Sequence, residues 1–404
     1  MKWCKMPMAF ILVLALLATL CLGCGEKAEE KATINVGFLS VYTGMVAPAL
    51  SGLNYTVEAL VRHIEEEDPI PGVKIKLISF DERYEPARDV PGYDWCMERG
   101  AKVILTPVPP CAEVLKPFAE RDKVPVFTWA ATPPMIEPPG WVFCLGAYFP
   151  RSISTLLEWL SQEWPNYPTK PKIGSYGWAE PAEISGNQAV KQYCQDHPDE
   201  FEYVADVLVP LGAMFTSGEI EKLKDCDYMF TAGANAAVLG FLRDFRARGY
   251  TATWLSTDAF ASVRGLALDM CGWEALDGTL VAHPTRWWGE PYPLVELAEE
   301  LLYRYYPDKA EDITHAGIAY IGAFQQVYTF FDILREAVQE VGAENLDGQA
   351  FYDAATKFET TYEGYPKWGF TETQRYGMDR VAVYEWKAEV GDLVKITDWL
   401  PAVE

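Results

Sequence analysis

The feature that most constrains this chain is a regular alternation of short apolar strands with amphipathic helices. Residues 33–41 (TINVGFLSV) form an apolar, β-branched run, and the segment from Leu50 to Ile64 then places apolar residues three and four positions apart. The same order returns later, from a strand at 172–176 into a helix at 183–194. A strand that reaches its neighbour through a helix forms a right-handed crossover, which places the two strands in parallel. The alternation therefore predicts an α/β fold.

Two series of such units occur along the chain, and they predict two doubly wound lobes, each built on a parallel sheet, with a ligand cleft between them. Short β-branched or aromatic runs predict the remaining strands, at 73–80, 102–106, 124–128, 201–209, 227–232, 254–257, 278–283, 368–370 and 381–386. Helical spacing predicts further helices at 112–121 and, as one long element, at 314–341. Ser217 and Asn235 are predicted helix N-caps.

The N-terminus has the pattern of an export signal. Two lysines precede an apolar run from Met8 to Leu22, which is shorter than the roughly 20 residues that a membrane-spanning helix needs. No second apolar run of comparable length follows. We therefore expect the run to direct secretion rather than to remain as an anchor.

Leu22-Gly23-Cys24 resembles a bacterial lipobox, in which the cysteine is acylated and becomes the new N-terminus. Cys21 stands where such motifs usually carry leucine, and an ordinary cleaved signal is the alternative. The resemblance implies a signal peptide at 1–23, a lipidated linker at 24–32, and a protein held at the periplasmic or extracellular face of the bacterial cell membrane.

Charge and cysteine content narrow the function classes. Lys and Arg total 34 against 58 Asp and Glu, so the formal net charge is −24, which disfavours binding to nucleic acid. An even number of cysteines would remain after Cys24, and in an exported chain they permit up to three disulfides. These are Cys96, Cys111, Cys144, Cys194, Cys226 and Cys271. No cysteine–histidine pair has metal-ligand spacing, so no metal site is predicted.

Catalytic motifs do not stand out in the sequence. There is no G-x-S-x-G, P-loop, H-E-x-x-H or G-x-G-x-x-G, and the four histidines are far apart along the chain. The sequence therefore predicts a binding protein without a cofactor, and not an enzyme.

A series of segments along the mature chain resembles the Leu/Ile/Val-binding branch of the type I periplasmic binding proteins. In chain order, these segments are INVGFLSVYTG, KIKLISFDERYEPA, AKVILTP, KVPVFTWAATPP, KIGSYGWAEP, DYMFTAGANAAVLGFLRDFRARGY, ATWLSTDAF, ALDGTLVAHPTRWW and WGFTET. The resemblance implies a monomeric solute-binding lipoprotein of an ABC importer, which delivers a branched-chain or other amino acid to a permease and its ATPase. A ligand-sensing receptor domain is the alternative role.

The same resemblance implies two lobes joined by three crossovers. We expect lobe 1 to comprise residues 33–147 and 278–340, and lobe 2 to comprise residues 148–277 and 341–404.

Ligands of open parallel sheets bind beyond the carboxyl ends of the strands, where helix N-termini offer free N–H groups and a partial positive charge. Loops in such positions supply the candidate ligand-binding residues Tyr42, Thr43, Pro110, Cys111, Trp129, Ala130, Ala131, Thr132, Trp178, Glu180, Asn235, Asp258 and Phe260.

The resemblance assigns roles to part of this set. Loops matching 109–111 and 129–132 hold the ligand's carboxylate in the family, and an acidic residue matching Asp258 holds its ammonium group. This chain has Pro109-Pro110-Cys111 where a serine cluster is expected, and two prolines remove two backbone donors. An aromatic or amide-bearing solute is therefore the alternative to an amino acid.

Each candidate also has a purely structural interpretation. Asp258 is a suitable helix N-cap and Thr132 a suitable turn cap, while Trp129 is suited to core packing. Trp178 has the same alternative. Cys111 is a candidate half of a disulfide, and Arg286 is a candidate hinge ion pair or anion contact.

The lipobox gives the first testable prediction. Cys24→Ala removes the acylated thiol, so we expect the variant to move from the membrane fraction into the soluble fraction of fractionated cells. The unmodified chain provides the control. A mature wild-type protein that mass spectrometry finds unlipidated and cleaved elsewhere would contradict the assignment.

Overall fold

The computed structural model describes residues 31–403 except 45, 68, 71, 167, 216 and 361–367. The predicted signal peptide and Cys24 lie outside the described residues. Within the described part of the chain, no helix combines the length and apolar character that crossing a membrane requires.

The first sheet is entirely parallel, as the strand–helix alternation predicts. Its strands are β1 (Ala32–Ser40), β2 (Val73–Asp81), β3 (Val103–Thr106), β4 (Val126–Ala131) and β5 (Val142–Tyr148). They lie in the order β2-β1-β3-β4-β5, which is the order of a doubly wound fold. Strand β5 is an apolar run that the sequence analysis missed.

The second sheet repeats this order and then extends it. Its parallel strands are β6 (Lys172–Trp178), β7 (Glu202–Val209), β8 (Tyr228–Phe230), β9 (Thr253–Thr257) and β10 (Leu280–His283). They lie in the order β7-β6-β8-β9-β10. Antiparallel strands then continue the sheet beyond β10, at Arg380–Lys387, Asp392–Lys395 and Leu400–Pro401. A separate two-stranded sheet pairs Glu359–Thr360 with Trp368–Gly369.

Helices connect the strands and cover both sheets. In the first half of the chain, these helices are α1 (Ala47–Glu67), α2 (Asp89–Glu98), α3 (Pro109–Asp122), α4 (Pro133–Ile136), α5 (Phe149–Glu163) and α6 (Pro181–Asp196). Those that follow are α7 (Ser217–Leu223), α8 (Ala236–Ala247), α9 (Asp258–Ala261), α10 (Arg264–Leu276), α11 (Pro293–Tyr305), α12 (Ala310–Ala316), α13 (Ile318–Val341) and α14 (Gly348–Lys357). Single 3₁₀ turns occur at Pro86–Arg88 and Ala343–Asn345.

The chain passes between the two sheets three times, after β5, after β10 and between Gly369 and Arg380. The expected lobe boundaries are wrong at two places. Strand β10 pairs with β9, so it belongs to lobe 2 and not to lobe 1. Helix α14 packs on α13, which covers the first sheet, so this part of the chain belongs to lobe 1.

The segment that follows the two-stranded sheet also lies on lobe 1. The backbone N–H of Cys144 donates to the carbonyl of Arg375 at 2.7 Å, and that of Gly377 donates to the carbonyl of Cys144 at 3.1 Å. These bonds attach the segment to the edge of β5, and only the next strand, Arg380–Lys387, joins lobe 2. Sequence spacing alone does not determine which sheet edge a returning segment meets.

The predicted single helix at 314–341 is also wrong, because two helices meet at Gly317. This glycine has a φ of +130°, outside the helical region. A Cβ atom here would lie 2.0 Å from the carbonyl oxygen of Ala261. The close approach of that carbonyl and the positive φ both require glycine, and they separate α12 from α13.

The six described cysteines are free thiols, so the disulfides that their even number permits are not formed in this structure. Cys111 lies in the lobe 1 core rather than in a disulfide. The thiols of Cys96 and Cys271 donate to the carbonyls of Ile78 and Leu239 at 3.3 and 3.2 Å. Burial raises the pKa of Cys96 to about 12, which keeps its thiol protonated.

Helix α13 lies against α1, and Gly52 sits where their backbones approach. A Cβ atom at Gly52 would lie 2.9 Å from the backbone nitrogen of Tyr320 and 3.1 Å from the carbonyl carbon of Ala319. Backbone atoms cannot move aside as a side-chain tip can, so glycine sets the distance between these helices.

We predict that Gly52→Ala lowers the melting temperature, although alanine is the better helix former. The methyl group would push two helix backbones apart, and overpacking of this kind typically destabilises by about 1–3 kcal/mol, against a propensity gain of roughly 1 kcal/mol. Gly240→Ala in α8 is the matched control, because its methyl group would meet only the side chains of Phe215 and Met214. Equal melting temperatures for the two variants would contradict the prediction.

Candidate functional site

A cavity of about 260 Å³ lies between the two lobes, beyond the carboxyl ends of strands from both sheets. This volume is near the lower end of the range of about 300–1,000 Å³ that is typical of small-molecule sites. Its lobe 1 wall is formed by Val46, Leu50, Leu53, Tyr84, Pro107, Pro109, Pro110, Trp129 and Ala130. Its lobe 2 wall is formed by Phe149, Glu180, Ala182, Ala232, Gly233, Ala234, Asp258, Ala259, Ser262 and Val263.

Helix α13 closes the remaining side of the cavity with one face of its first turns. The residues on this face are Ile318, Ala319, Gly322, Ala323 and Gln326. Three of them have small side chains or none, so the helix surface recedes and leaves room for a solute.

The two walls differ in polarity. Lobe 1 contributes proline, aliphatic and aromatic side chains, and lobe 2 contributes the two carboxyl groups of the lining, those of Glu180 and Asp258. No lysine, arginine or histidine is among the described residues that line this cavity. The cavity therefore has an apolar side and an acidic side, with no cationic side chain on either.

Asp258 is the first residue of α9 and follows directly on β9. Thr257, and not Asp258, is the N-cap of this helix, because its hydroxyl accepts from the backbone N–H of Ala259 at 3.3 Å. Burial raises the pKa of Asp258 to about 7, and the nearby backbone N–H groups only partly offset this effect. Asp258 lines the cavity, and its carboxyl group also accepts from the backbone N–H groups of Asp258 and Ala259.

Glu180 caps α6 from the cavity side. Its carboxylate accepts from the backbone N–H groups of Ala182 and Glu183, at 3.3 and 3.1 Å. Burial raises its pKa, and these two hydrogen bonds act in the opposite direction. The carboxylate of Glu180 thus occupies these donors at the N-terminus of α6, so they are not available to a ligand.

The side chain of Glu183 supports the neighbouring loop at residues 231–233. Its buried carboxyl accepts from the backbone N–H of Ala232 at 2.8 Å, from that of Gly233 at 3.3 Å and from the hydroxyl of Thr231 at 3.0 Å. Burial raises the pKa of Glu183 to about 8, although these three hydrogen bonds act to lower it. The carboxyl group fixes the loop whose outer side lines the cavity.

Tyr84 reaches the cavity from a tight loop that follows β2. Arg83 and Tyr84 are both in the left-handed region, with φ of +59° and +62°, which is unfavourable for residues with a Cβ. Arg88 supports the loop by donating two hydrogen bonds to the carbonyl of Asp81, at 2.8 and 2.9 Å. Burial raises the pKa of the Tyr84 hydroxyl, and the charge of Glu180 on the other lobe adds to this shift.

Two buried polar groups of the cavity wall have no hydrogen-bond partner among the described residues. They are the indole N–H of Trp129 and the side-chain carbonyl of Gln326. Both atoms are fully buried, so a solute in the cavity would not reach them without a side-chain movement.

Of the predicted site residues, the structure brings together Pro110, Trp129, Ala130, Glu180 and Asp258 at the cavity. The others lie elsewhere, and their positions have physical causes. Asp81 holds the loop at Tyr42 and Thr43 away from the cavity, accepting from their N–H groups at 2.9 and 3.3 Å.

Four more predicted residues are buried in the protein interior and do not line the cavity: Cys111, Ala131, Thr132 and Phe260. The ring of Phe260 packs edge-on against Trp386, with the ring centroids 5.6 Å apart. Thr132 occupies the N-cap position of α4, as the turn-cap interpretation predicts, but its side chain makes no cap hydrogen bond.

The last two predicted residues, Trp178 and Asn235, are occupied by structural hydrogen bonds. The indole of Trp178 donates to the carbonyl of Ala213 at 2.8 Å. The side chain of Asn235 accepts from the N–H groups of Ala237 and Val238 at 3.0 and 3.1 Å, so the predicted N-cap is confirmed while the residue stays off the cavity.

Among the residues of the cavity wall that were not predicted, three examples have different causes. Phe149 follows β5, a strand that was not predicted. Tyr84 follows β2, and the strand-end rule applied to β2 would have found it. Helix α13 does not follow a strand, so the strand-end rule does not find the face that lines the cavity. The run of small residues around Gly322 is the one sequence signal of that face.

Arg286 forms the ion pair that was one of its two alternatives. Its guanidinium lies 3.2 Å from the carboxylate of Glu290, just after the second crossover, and it does not line the cavity. Among the described residues, no group of three or more histidine, cysteine or acidic side chains is arranged to hold a metal ion.

A family model described as periplasmic binding protein matches residues 33–391. No curated protein sequence matches the chain. Among solved structures, the fold is similar to a branched-chain amino acid ABC transporter protein from Thermus thermophilus with bound valine. The two have 17% sequence identity and a TM-score of 0.80, over 92% of this chain and 97% of that chain.

Two further structures show the same fold. A solute-binding protein of an ABC transporter from Rhodopseudomonas palustris BisB5, in complex with 3,4-dihydroxybenzoic acid, has 17% identity and a TM-score of 0.74, over 92% of this chain and 98% of that chain. A fatty acid ABC transporter substrate-binding protein from Thermomonospora curvata has 15% identity and a TM-score of 0.75, over 92% of each chain.

The position of Asp258 gives a prediction about the ligand-free protein. Its pKa is raised in the folded state to about 7 from 3.8, so the folded protein keeps a proton that the unfolded chain has already released. Stability therefore falls as the pH rises from about 4 to 7. Asp258→Asn cannot ionise, so we expect its melting temperature to exceed that of the wild type by more at pH 8 than at pH 4.5.

Differential scanning calorimetry at the two pH values measures this difference. Asp244→Asn, at a partly exposed residue paired with Arg243, is the control and should show no such increase. A melting-temperature difference between Asp258→Asn and wild type that is equal at both pH values would contradict the buried, raised-pKa carboxyl.

Proposed function

The chain belongs to the periplasmic binding protein family, and on this premise we propose that it captures a small solute between its lobes and delivers it to the permease of an ABC importer. The observation that carries this proposal is the cavity itself. It lies at the carboxyl edges of both sheets, it is lined from both lobes, and the lobes are joined by three crossovers. Lobes joined in this way rotate about their connections more easily than they deform.

The proposed solute carries an amino or amide group and an apolar body. The acidic wall of Glu180 and Asp258 supports the first part, and the apolar wall around Trp129 supports the second. A branched-chain or other amino acid is the class that the family resemblance implies, and valine is bound in the similar structure from T. thermophilus.

An aromatic or amide-type solute is the second candidate class. Pro109 and Pro110 begin α3 without the two N–H groups that a carboxylate would bind, and Trp129 offers an aromatic surface in the same cavity. An aromatic acid is bound in the similar structure from R. palustris.

The proposal includes the place where the protein works. Acylation at Cys24 would tether a monomeric protein to the periplasmic or extracellular face of the cell membrane, beside its permease and ATPase subunits. In this role the protein binds its solute without chemical change, so it needs neither catalytic residues nor a cofactor. A ligand-sensing receptor domain remains the alternative role, which co-purification with a permease would distinguish.

We expect a bound solute to close the cleft and to stabilise the protein. A thermal-shift screen of mature protein against amino acids, aromatic acids, amines and amides identifies the solute, because a ligand at 100 times its dissociation constant adds about 2.7 kcal/mol of stability. Small-angle scattering with that solute should then show a smaller radius of gyration.

Ala234→Trp is the matched control, because it places a large side chain into the cavity from a half-buried loop residue. It should neither bind the solute nor change its radius of gyration when the solute is added. An unchanged radius of gyration for the wild type at saturation would contradict closure, and a screen without any stabilising solute would contradict the proposed function.

A further inference from the structure

We propose that this cleft selects small amines that lack a carboxylate: a protonated amino group bound at the acidic wall, and an apolar or aromatic body against lobe 1. This inference rests on the proposed function, because it specifies the solute class of the same cavity. It departs from the amino-acid class that the family resemblance implies. The selection depends on the acceptors that the cavity offers and on the donors that it lacks.

The acceptors lie on lobe 2. The carboxyl groups of Glu180 and Asp258 both line the cavity, and no cationic side chain lines it. Because a buried carboxylate without a counter-charge is costly, a cationic ligand would supply what the empty cavity lacks.

The aromatic side chains face the same space. Trp129 and Tyr84 line the cavity from lobe 1, and Phe149 lines it from lobe 2. The faces of aromatic rings attract organic cations, and they also pack against an apolar body. The cavity therefore matches both ends of an apolar amine.

The donors for a carboxylate are missing at α3. Pro109 and Pro110 occupy the first two positions of this helix and have no N–H group. The N–H of Val108 before them donates to the hydroxyl of Thr106 at 3.2 Å. Pro107 also has no N–H group, so this loop offers almost no donor to a ligand.

The strand-end loops of lobe 2 have donors, but side chains of the protein already use them. A side-chain oxygen already accepts from the backbone N–H groups at these helix starts and loops, so they are not available to an anion. The acceptors are Glu180 for Ala182 and Glu183, Glu183 for Ala232 and Gly233, Asn235 for Ala237 and Val238, and Thr257 for Ala259.

A carboxylate in this cavity would therefore lose its hydration and meet two carboxyl groups instead of an N–H cradle. Among the residues that line the cavity, the hydroxyl of Tyr84 and the side-chain amide of Gln326 are neutral donor groups. The protein's net charge of −24 further disfavours the approach of an anion. A protonated amine also loses its hydration, but it meets carboxyl groups that attract it.

Calorimetric titration with matched compounds tests the selection. 3-Methylbutylamine and 2-phenylethylamine are leucine and phenylalanine without the carboxylate, while 4-methylpentanoate and 4-methylpentanamide carry a carboxylate or an amide without the amine. We expect at least one of the two amines to bind at least tenfold more tightly than its parent amino acid, and the carboxylate not to bind.

Variants test how much the charge of the cavity wall contributes to affinity when the shape of the cavity is kept. Charge-assisted hydrogen bonds give about a ten- to a hundredfold contribution to affinity, so Asp258→Asn and Glu180→Gln should weaken amine binding by that factor. Pro110→Ser restores an N–H group and adds a hydroxyl, so it should narrow the preference for the amine over the amino acid. Asp244→Asn is the surface control, and the melting temperature of each variant reports whether it is folded.

The outcomes distinguish this inference from the proposed function. If an amino acid or an aromatic acid binds as tightly as the matched amine and closes the cleft, the function stands and the selection is wrong. If the amide binds as tightly as the amine and Asp258→Asn leaves both affinities unchanged, the ligand charge has no role and the selection is again wrong. If no compound of any class binds, both proposals fail.

Discussion

Backbone N–H groups converge where the carboxyl ends of parallel strands lead into helices, and each of these groups needs an acceptor. In this protein the buried carboxyl of Glu183 supplies the acceptor for the loop after β8, with hydrogen bonds of 2.8 and 3.3 Å to Ala232 and Gly233. Glu180 and Asn235 do the same for the two adjacent helices. The inner wall of lobe 2 therefore keeps its shape without a ligand, and the charged residues that line it are Glu180 and Asp258.

The connections between the lobes are also held by polar contacts near one crossover. The backbone N–H and carbonyl of Arg286 both bond to the side-chain amide of Gln325 in α13, each at 3.0 Å. The carboxylate of Glu290 lies 3.2 Å from Arg286 and 3.2 Å from Lys395, which belongs to the second sheet. Rotation of the lobes would therefore pivot near a network of charges rather than at an apolar contact.

Helix α13 joins these two features. Its first turns form a wall of the cavity, and Gln325 within the same turns bonds to the crossover. Its backbone approaches α1 at Gly52, so its position relative to the first sheet is fixed by contact between main chains. A solute that touches Ala319 or Ala323 thus lies against the element that also supports the hinge, which connects occupancy of the cavity with the angle between the lobes.

Much of the fold was predictable because it depends on local patterns. The alternation of apolar runs with helical spacing predicted the parallel strands, and Asn235 was predicted as a cap from its position before a helix. The break at Gly317 was not predictable, because it results from the carbonyl of Ala261, more than fifty residues away. The lobe that receives β10 was missed for the same reason, since strand pairing is a non-local choice.

The candidate site divides in the same way. The sequence by itself determined that loops after the strands would line a cleft, and it identified Trp129, Glu180 and Asp258 among them. Only the tertiary structure decided which loop residues line the cavity, because Asp81 draws Tyr42 and Thr43 aside while Asp258, at the start of α9, lies in the cavity wall. Only the tertiary structure showed that the cleft is acidic. Glu180 and Asp258 are far apart along the chain, and they line the same cavity only because folding brings their loops together.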